Sequence, residues 1–199
     1  MTPKQVERLR DKITKIKRAL TADKKRWGGF YDDSQGLRYL PPELYLKLKD
    51  YTGALRYFNW FKKNFPDDIG FPTFLFEWTV TLFKTKRLEQ AENKAIETFF
   101  SNTYLIDKFL GKEFLELHIS ENSNWELSSL AENFHYSKDQ NELSDFAKWL
   151  NSFVTSNKFF KIANEFIDIE RKLKTEQVGP KRSALVKRRY RLIDELDIG

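Results

Sequence analysis

Leu48-Lys49-Asp50-Tyr51-Thr52-Gly53-Ala54-Leu55-Arg56-Tyr57-Phe58-Asn59-Trp60-Phe61-Lys62-Lys63-Asn64-Phe65-Pro66-Asp67-Asp68 is the stretch on which the fold turns. A helix opens at Asp50-Tyr51 and runs through Asn64, and Pro66 halts it, because proline lacks the N–H a helix interior needs. Ala54 lies three residues after Tyr51, and a small side chain there lets a second helix approach closely. Phe58 fills the space one turn on.

The pattern recurs outward from this segment, and a search for internal repeats is the decisive step in such a chain. Leu75, Trp78, Thr79 and Leu82 form a large-large-small-large set on a helix expected from Pro72 to about Lys84. Leu88, Ala91, Ala95 and Thr98 follow on the next, ending near Phe100. A looser copy comprises Leu127, Leu130, Ala131 and Phe134, then Leu143, Ala147 and Leu150. These residues resemble the tetratricopeptide repeat family over about residues 40–157. Two departures stand out: Pro41-Pro42 shortens the first helix, and the spacing between copies is stretched enough to admit an extra helix.

The resemblance implies an all-α fold of antiparallel helical hairpins stacked as a short, irregular superhelix, and a groove for a peptide or partner helix. In the family's register the groove-facing positions are Thr73, Phe76, Val80, Phe83 and Lys84 in the second repeat, and Ser128, Glu132 and His135 in the third. Phe76 and Phe83 are the expected apolar anchors. The clamp of basic and asparagine side chains used by chaperone-binding members has no counterpart, since Tyr39, Glu43, Phe76, Glu77 and Val80 occupy those positions.

The rest of the chain is also read as helical. Val6, Leu9, Ile13, Ile16 and Leu20 step by three and four along a helix from Pro3 to Arg26 and form one apolar stripe, a seam open to self-association. The expected domains are a basic helix at 1–26, a Gly/aromatic loop at 27–41, a repeat domain at 42–173 and a basic helix at 174–199. Within the repeat domain, helices are expected over Leu105–His118 with a break at Gly111, over Trp125–Tyr136 capped by Asn124, over Glu142–Val154 and over Lys158–Leu173. No strand-like alternation is sustained.

Charge is distributed unevenly. Residues 1–26 carry ten basic side chains against three acidic, and residues 171–191 carry nine against Glu176, yet the whole chain of 199 residues is only +6. Everything between the ends is therefore net acidic. Lys181, Arg182, Lys187, Arg188, Arg189 and Arg191 suit a phosphate backbone, so nucleic acid is the alternative partner; the same cations can instead pack on the acidic body.

Chemistry is scarce. There is no cysteine, which removes disulfides, thiolate nucleophiles and Cys-based zinc sites. No GxxxxGK[ST] or GxGxxG occurs, and serines lack a nucleophile-elbow context. His118 with Glu121, and His135 with Glu132, are each at most half a metal site. Asp32-Asp33 and Asp67-Asp68 fall where turns favour Asp. The reading is a non-enzyme without cofactor or metal. The first residues lack the apolar core of a signal peptide, and no apolar run reaches the ~20 residues of a membrane span, so a cytoplasmic location is expected.

Overall fold

A computed structural model describes residues 1–121 and 123–197, with the side chains of 196 and 197 excepted. Among the described residues it is all-α. The helices are α1 (Pro3–Arg26), α2 (Pro41–Lys47), α3 (Tyr51–Asn64), α4 (Pro72–Lys84), α5 (Leu88–Ser101), α6 (Leu105–Leu110), α7 (Ser128–Glu132), α8 (Ser144–Val154), α9 (Asn157–Thr175) and α10 (Pro180–Asp197). Short 3₁₀ turns cover Leu37–Tyr39 and Asn141–Leu143. None of the helices is long and apolar enough to cross a membrane.

The chain divides into two compact units: residues 1–70 with 84–86, and residues 71–83 with 87–199. The boundary expected between a basic arm and a repeat domain is not where the chain divides, because α1 packs into the first unit against α2 and the 3₁₀ turn.

In the first unit, Thr2 starts α1 through a capping box with Gln5, satisfying two otherwise unpaired backbone N–H groups. Ile13, Ile16 and Leu20 are buried. The seam proposed for self-association is thus largely spent inside the chain, leaving only Val6 and Leu9 half-buried. Asp50 caps α3 by accepting the Gly53 N–H at 2.8 Å. At Gly53 α2 lies close enough that a Cβ there would be 2.7 Å from the Tyr45 ring. Ala54 and Phe58, next along, are fully buried.

In the second unit, α4 is buried from Phe74 through Phe83. Phe76 meets the rings of Phe109, Phe134, Tyr136 and Phe146, and Phe83 meets Phe146 and Trp149. The α4–α5 hairpin is tied by Thr79 to Thr98 at 3.3 Å and by Lys94 over the Trp78 ring. Ala91 and Ala95 are fully buried. The acidic Glu77 is buried among these rings, where the Tyr136 hydroxyl donates to it at 2.8 Å.

Two expected helices are cut short. Gly111, with φ 65°, ends α6 in a left-handed cap, and residues 112–120 run without regular structure along α9, held by Arg171 Nε donating to the Leu117 carbonyl at 2.8 Å. The helix expected over Trp125–Tyr136 shrinks to α7. There the Asn102 amide takes the Trp125 and Leu127 carbonyls, holding in a turn the residues that would have formed its first turn. Asn122, in the polar break before α7, lies outside the described residues.

Candidate functional site

The groove expected along α4 is not open. Phe76, Val80 and Phe83 are 1%, 0% and 8% exposed, so these aromatics are core rather than anchors. The spacing of Thr73, Glu77 and Thr81 gives this helix one polar face, yet Glu77 and Thr81 are buried with the rest. Thr73, Lys84 and Ser128 are half-buried, while Glu132 and His135 are exposed. The Lys84 ammonium lies 5.6 Å over the Tyr51 ring. No group of acidic or histidine side chains capable of holding a metal ion occurs among the described residues.

The two basic ends have different fates. On α10, Arg189 Nε lies 2.6 Å from Glu170, which is 2% exposed. Burial raises the Glu170 carboxyl above its usual range, against the pull of Arg189. Arg188 pairs with Glu165 and Glu195. Arg182 donates to the Leu173 and Glu176 carbonyls at the end of α9, offsetting the partial negative charge there. Only Lys181, Lys187 and Arg191 of the six candidate cations are exposed, and Asp194 and Glu195 follow directly.

On α1, by contrast, Lys4, Arg8, Arg10, Lys12, Lys15, Lys17, Arg18, Lys25 and Arg26 are all exposed. None of the nine takes part in an ion pair among the described residues. Lys4, Arg8, Lys12, Lys15 and Arg18 step by three and four residues, and after one gap at Ala22 the row resumes at Lys25 and Arg26. That spacing sets them in a ridge along the face opposite Ile13, Ile16 and Leu20. At 24 residues the helix is about 36 Å long.

The ridge leads into an organised loop. Gly28 and Gly29 turn the chain with φ of 62° and 105°, in open space where a Cβ would touch nothing; glycine is needed there for its backbone freedom. Asp23 of α1 then anchors the loop by accepting the N–H groups of Asp32 and Asp33 at 2.9 and 3.1 Å. Asp33 in turn accepts from the N–H groups of Leu37 and Arg38 at 2.8 and 3.0 Å. Arg38 lies between two carboxylates, 3.0 Å from Asp33 and 2.7 Å from Asp68. Burial works against its charge, but these bonds more than offset that and hold its pKa above the ordinary value. The Tyr39 hydroxyl also donates to Asp68, at 2.6 Å, and burial with this bond pushes its pKa up to about 12. One carboxylate of each Asp pair, Asp33 and Asp68, is thus held in a structural clamp by one arginine.

Beside this clamp is an open surface cavity of about 640 Å³. Phe30, Tyr31 and Phe65 supply apolar wall, Lys24 and Lys63 supply charge, and Asn64 and Asp67 supply hydrogen-bonding groups. Lys24 donates to Asn64 at 3.0 Å and lies 4.9 Å over the Tyr31 ring. Tyr31 packs on Trp60 and Phe65. Phe30 is 78% exposed at the rim. Sequence reasoning missed this cavity because its parts lie about thirty residues apart; the Gly/aromatic loop, too long to be mere connection, was the one available signal.

A second, smaller cleft of about 240 Å³ lies in the other unit, with Leu115, Phe160 and Ile167 in its apolar lining. Leu115 and Phe160 are largely exposed. Compared with protein-family models, curated proteins and solved structures, the chain matches none.

Proposed function

We propose that this chain is a non-catalytic binding protein that takes hold of a nucleic-acid backbone along the basic ridge of α1. The observation that carries the reading is the unpaired state of nine exposed cations on one helix. Cations already matched by carboxylates have nothing to gain from a phosphate. Unmatched ones release counterions when they meet one, and that release supplies the affinity. Membrane adhesion is the poorer reading of the same helix, because an interfacial helix needs its apolar face free, and Ile13, Ile16 and Leu20 are buried in the chain. The contacts are to backbone, so they position without reading sequence.

Fluorescence anisotropy with a labelled RNA or DNA 20-mer tests this. The Lys12→Glu/Lys15→Glu/Arg18→Glu variant changes only exposed side chains and is expected to keep its helicity while losing binding about a hundredfold. Binding unchanged in the folded variant, or equal binding to polyglutamate of matched charge, removes the proposal.

A protein-binding scaffold is the second reading, favoured by the apolar cleft beside Leu115 and Phe160. On this reading the hairpins α2–α3 and α4–α5 are divergent tetratricopeptide-type repeats, and the cleft takes a peptide or partner helix in place of the closed groove. Exposed aromatic and aliphatic side chains around a pocket are the usual anchors for such partners. Leu115→Asp with Phe160→Asp is expected to abolish recovery of a partner that the unaltered chain captures; undiminished recovery by the folded variant excludes the cleft.

A further inference from the structure

We infer that the cavity at the end of α1 receives an unpaired base, which makes the ligand of the ridge single-stranded nucleic acid. The inference rests on the reading of α1 as a backbone-binding helix and adds what that reading leaves open, namely the form of nucleic acid.

Three features of the cavity converge on a nucleobase. Its volume, about 640 Å³, falls in the range of small-ligand sites, about 300–1,000 Å³. Its walls combine aromatic rings with polar groups, which suits a ligand that is flat and apolar on its faces and hydrogen-bonding at its edge. Phe30 is free at the rim, and every base offers a π-face to such a ring. At the polar side, the exposed Asp67 carboxylate can accept from a ring amino group, while the Asn64 amide is taken up by Lys24, Tyr31 and the Trp60 carbonyl.

The cations place the phosphates. Asp68 is already matched by Arg38 and Tyr39, so Asp67 is the open carboxylate of the cavity interior. Lys24 and Lys63 line the same cavity, and Lys25 and Arg26 continue the ridge directly into the loop that carries Phe30. A strand lying along α1 would therefore keep its phosphates on the cations and turn a base inward at the cavity. A duplex keeps its bases stacked and cannot do so.

The test compares three labelled 20-mers at one salt concentration: a single-stranded RNA, the same sequence as a duplex, and an abasic ribose-phosphate strand of equal charge. The single strand is expected to bind about tenfold more tightly than either of the others, the contribution of one stacked base. Phe30→Ala, a change at an exposed rim position, is expected to remove that tenfold for the base-bearing strand and leave abasic binding unchanged; Phe30→Trp is expected to retain it. Equal binding of base-bearing and abasic strands overturns the inference while leaving the ridge reading intact. Absence of binding to all three overturns both.

Discussion

The chain has two basic helices, and the difference between them separates a charge used to hold the fold from a charge left for a ligand. α10 brings Arg188 and Arg189 against acidic partners on α9 and Arg182 against the carbonyls at that helix's end, with Arg189 matched to a buried glutamate. α1 turns its apolar side to the first unit and nine of its ten cations outward without ion pairs among the described residues, Lys24 alone being held in the cavity wall. In sequence α1 is the more basic, with ten cations against three acids over Pro3–Arg26 where α10 has six against three over Pro180–Asp197. They differ in what faces them: α9 supplies Glu165 and Glu170 to α10, while Asp23, the acid of α1 nearest its loop, is occupied by backbone N–H groups.

If that contrast holds, the largest effect belongs to reversing ridge charges. Lys12→Glu/Lys15→Glu/Arg18→Glu is expected to weaken nucleic-acid binding on the order of a hundredfold, whereas Lys181→Glu/Lys187→Glu/Arg191→Glu changes it within about threefold, both read by anisotropy. The converse effect is on stability. Arg189→Ala strands the buried Glu170 and is expected to destabilise the second unit by about 3 kcal/mol, read as a drop in thermal midpoint. Equal midpoints for Arg189→Ala and Lys12→Ala would erase the distinction between the two helices.

Two smaller changes sharpen it. Asp23→Ala removes the acceptor for two loop N–H groups and is expected to cost the first unit about 1–2 kcal/mol. It loosens the cavity rim while leaving the ridge in place. Base-dependent affinity then falls and backbone affinity survives, measured with base-bearing and abasic strands. The smallest effect is one of pH. Burial holds the folded Glu170 pKa above its unfolded value, so the native state binds more protons between the two values. The contribution of this group to stability is therefore greatest below the unfolded pKa and is lost as pH rises through the folded one. Glu170→Gln is expected to flatten that decline in a urea-denaturation series from pH 4 upward; an unaltered slope would show that Glu170 is not its source.

Local features of the sequence were the most legible. The apolar spacing of α1, the Asp50 cap and the stop at Pro66 are written in neighbouring residues and place their helices well. Ala54, Ala91 and Ala95 are buried, as their small size between larger neighbours suggests. Reading failed where distant residues decide. Leu105–His118 has helical composition, but Gly111 ends α6 and residues 112–120 take their bonds from α9 instead. Phe76 and Phe83 were placed by a family's register, whereas the rings that enclose them come from up to about seventy residues later. The Asp33–Arg38–Asp68 clamp and the pairing of α10 with α9 depend in the same way on how elements come together. Charge density can be read from a sequence; whether a charge is already matched cannot.

The salt dependence of binding tests the central claim most directly, because it counts the cations that meet phosphate. Titrating a single-stranded 20-mer from about 50 to 200 mM salt is expected to give a slope of about −4 in log K against log salt, from about six phosphates neutralised on a single strand. That slope should shrink toward −2 in the α1 charge-reversal variant and stay put in the α10 variant. A flat line for the unaltered chain, or a slope reduced only by the α10 changes, would contradict the assignment of α1 as the binding helix.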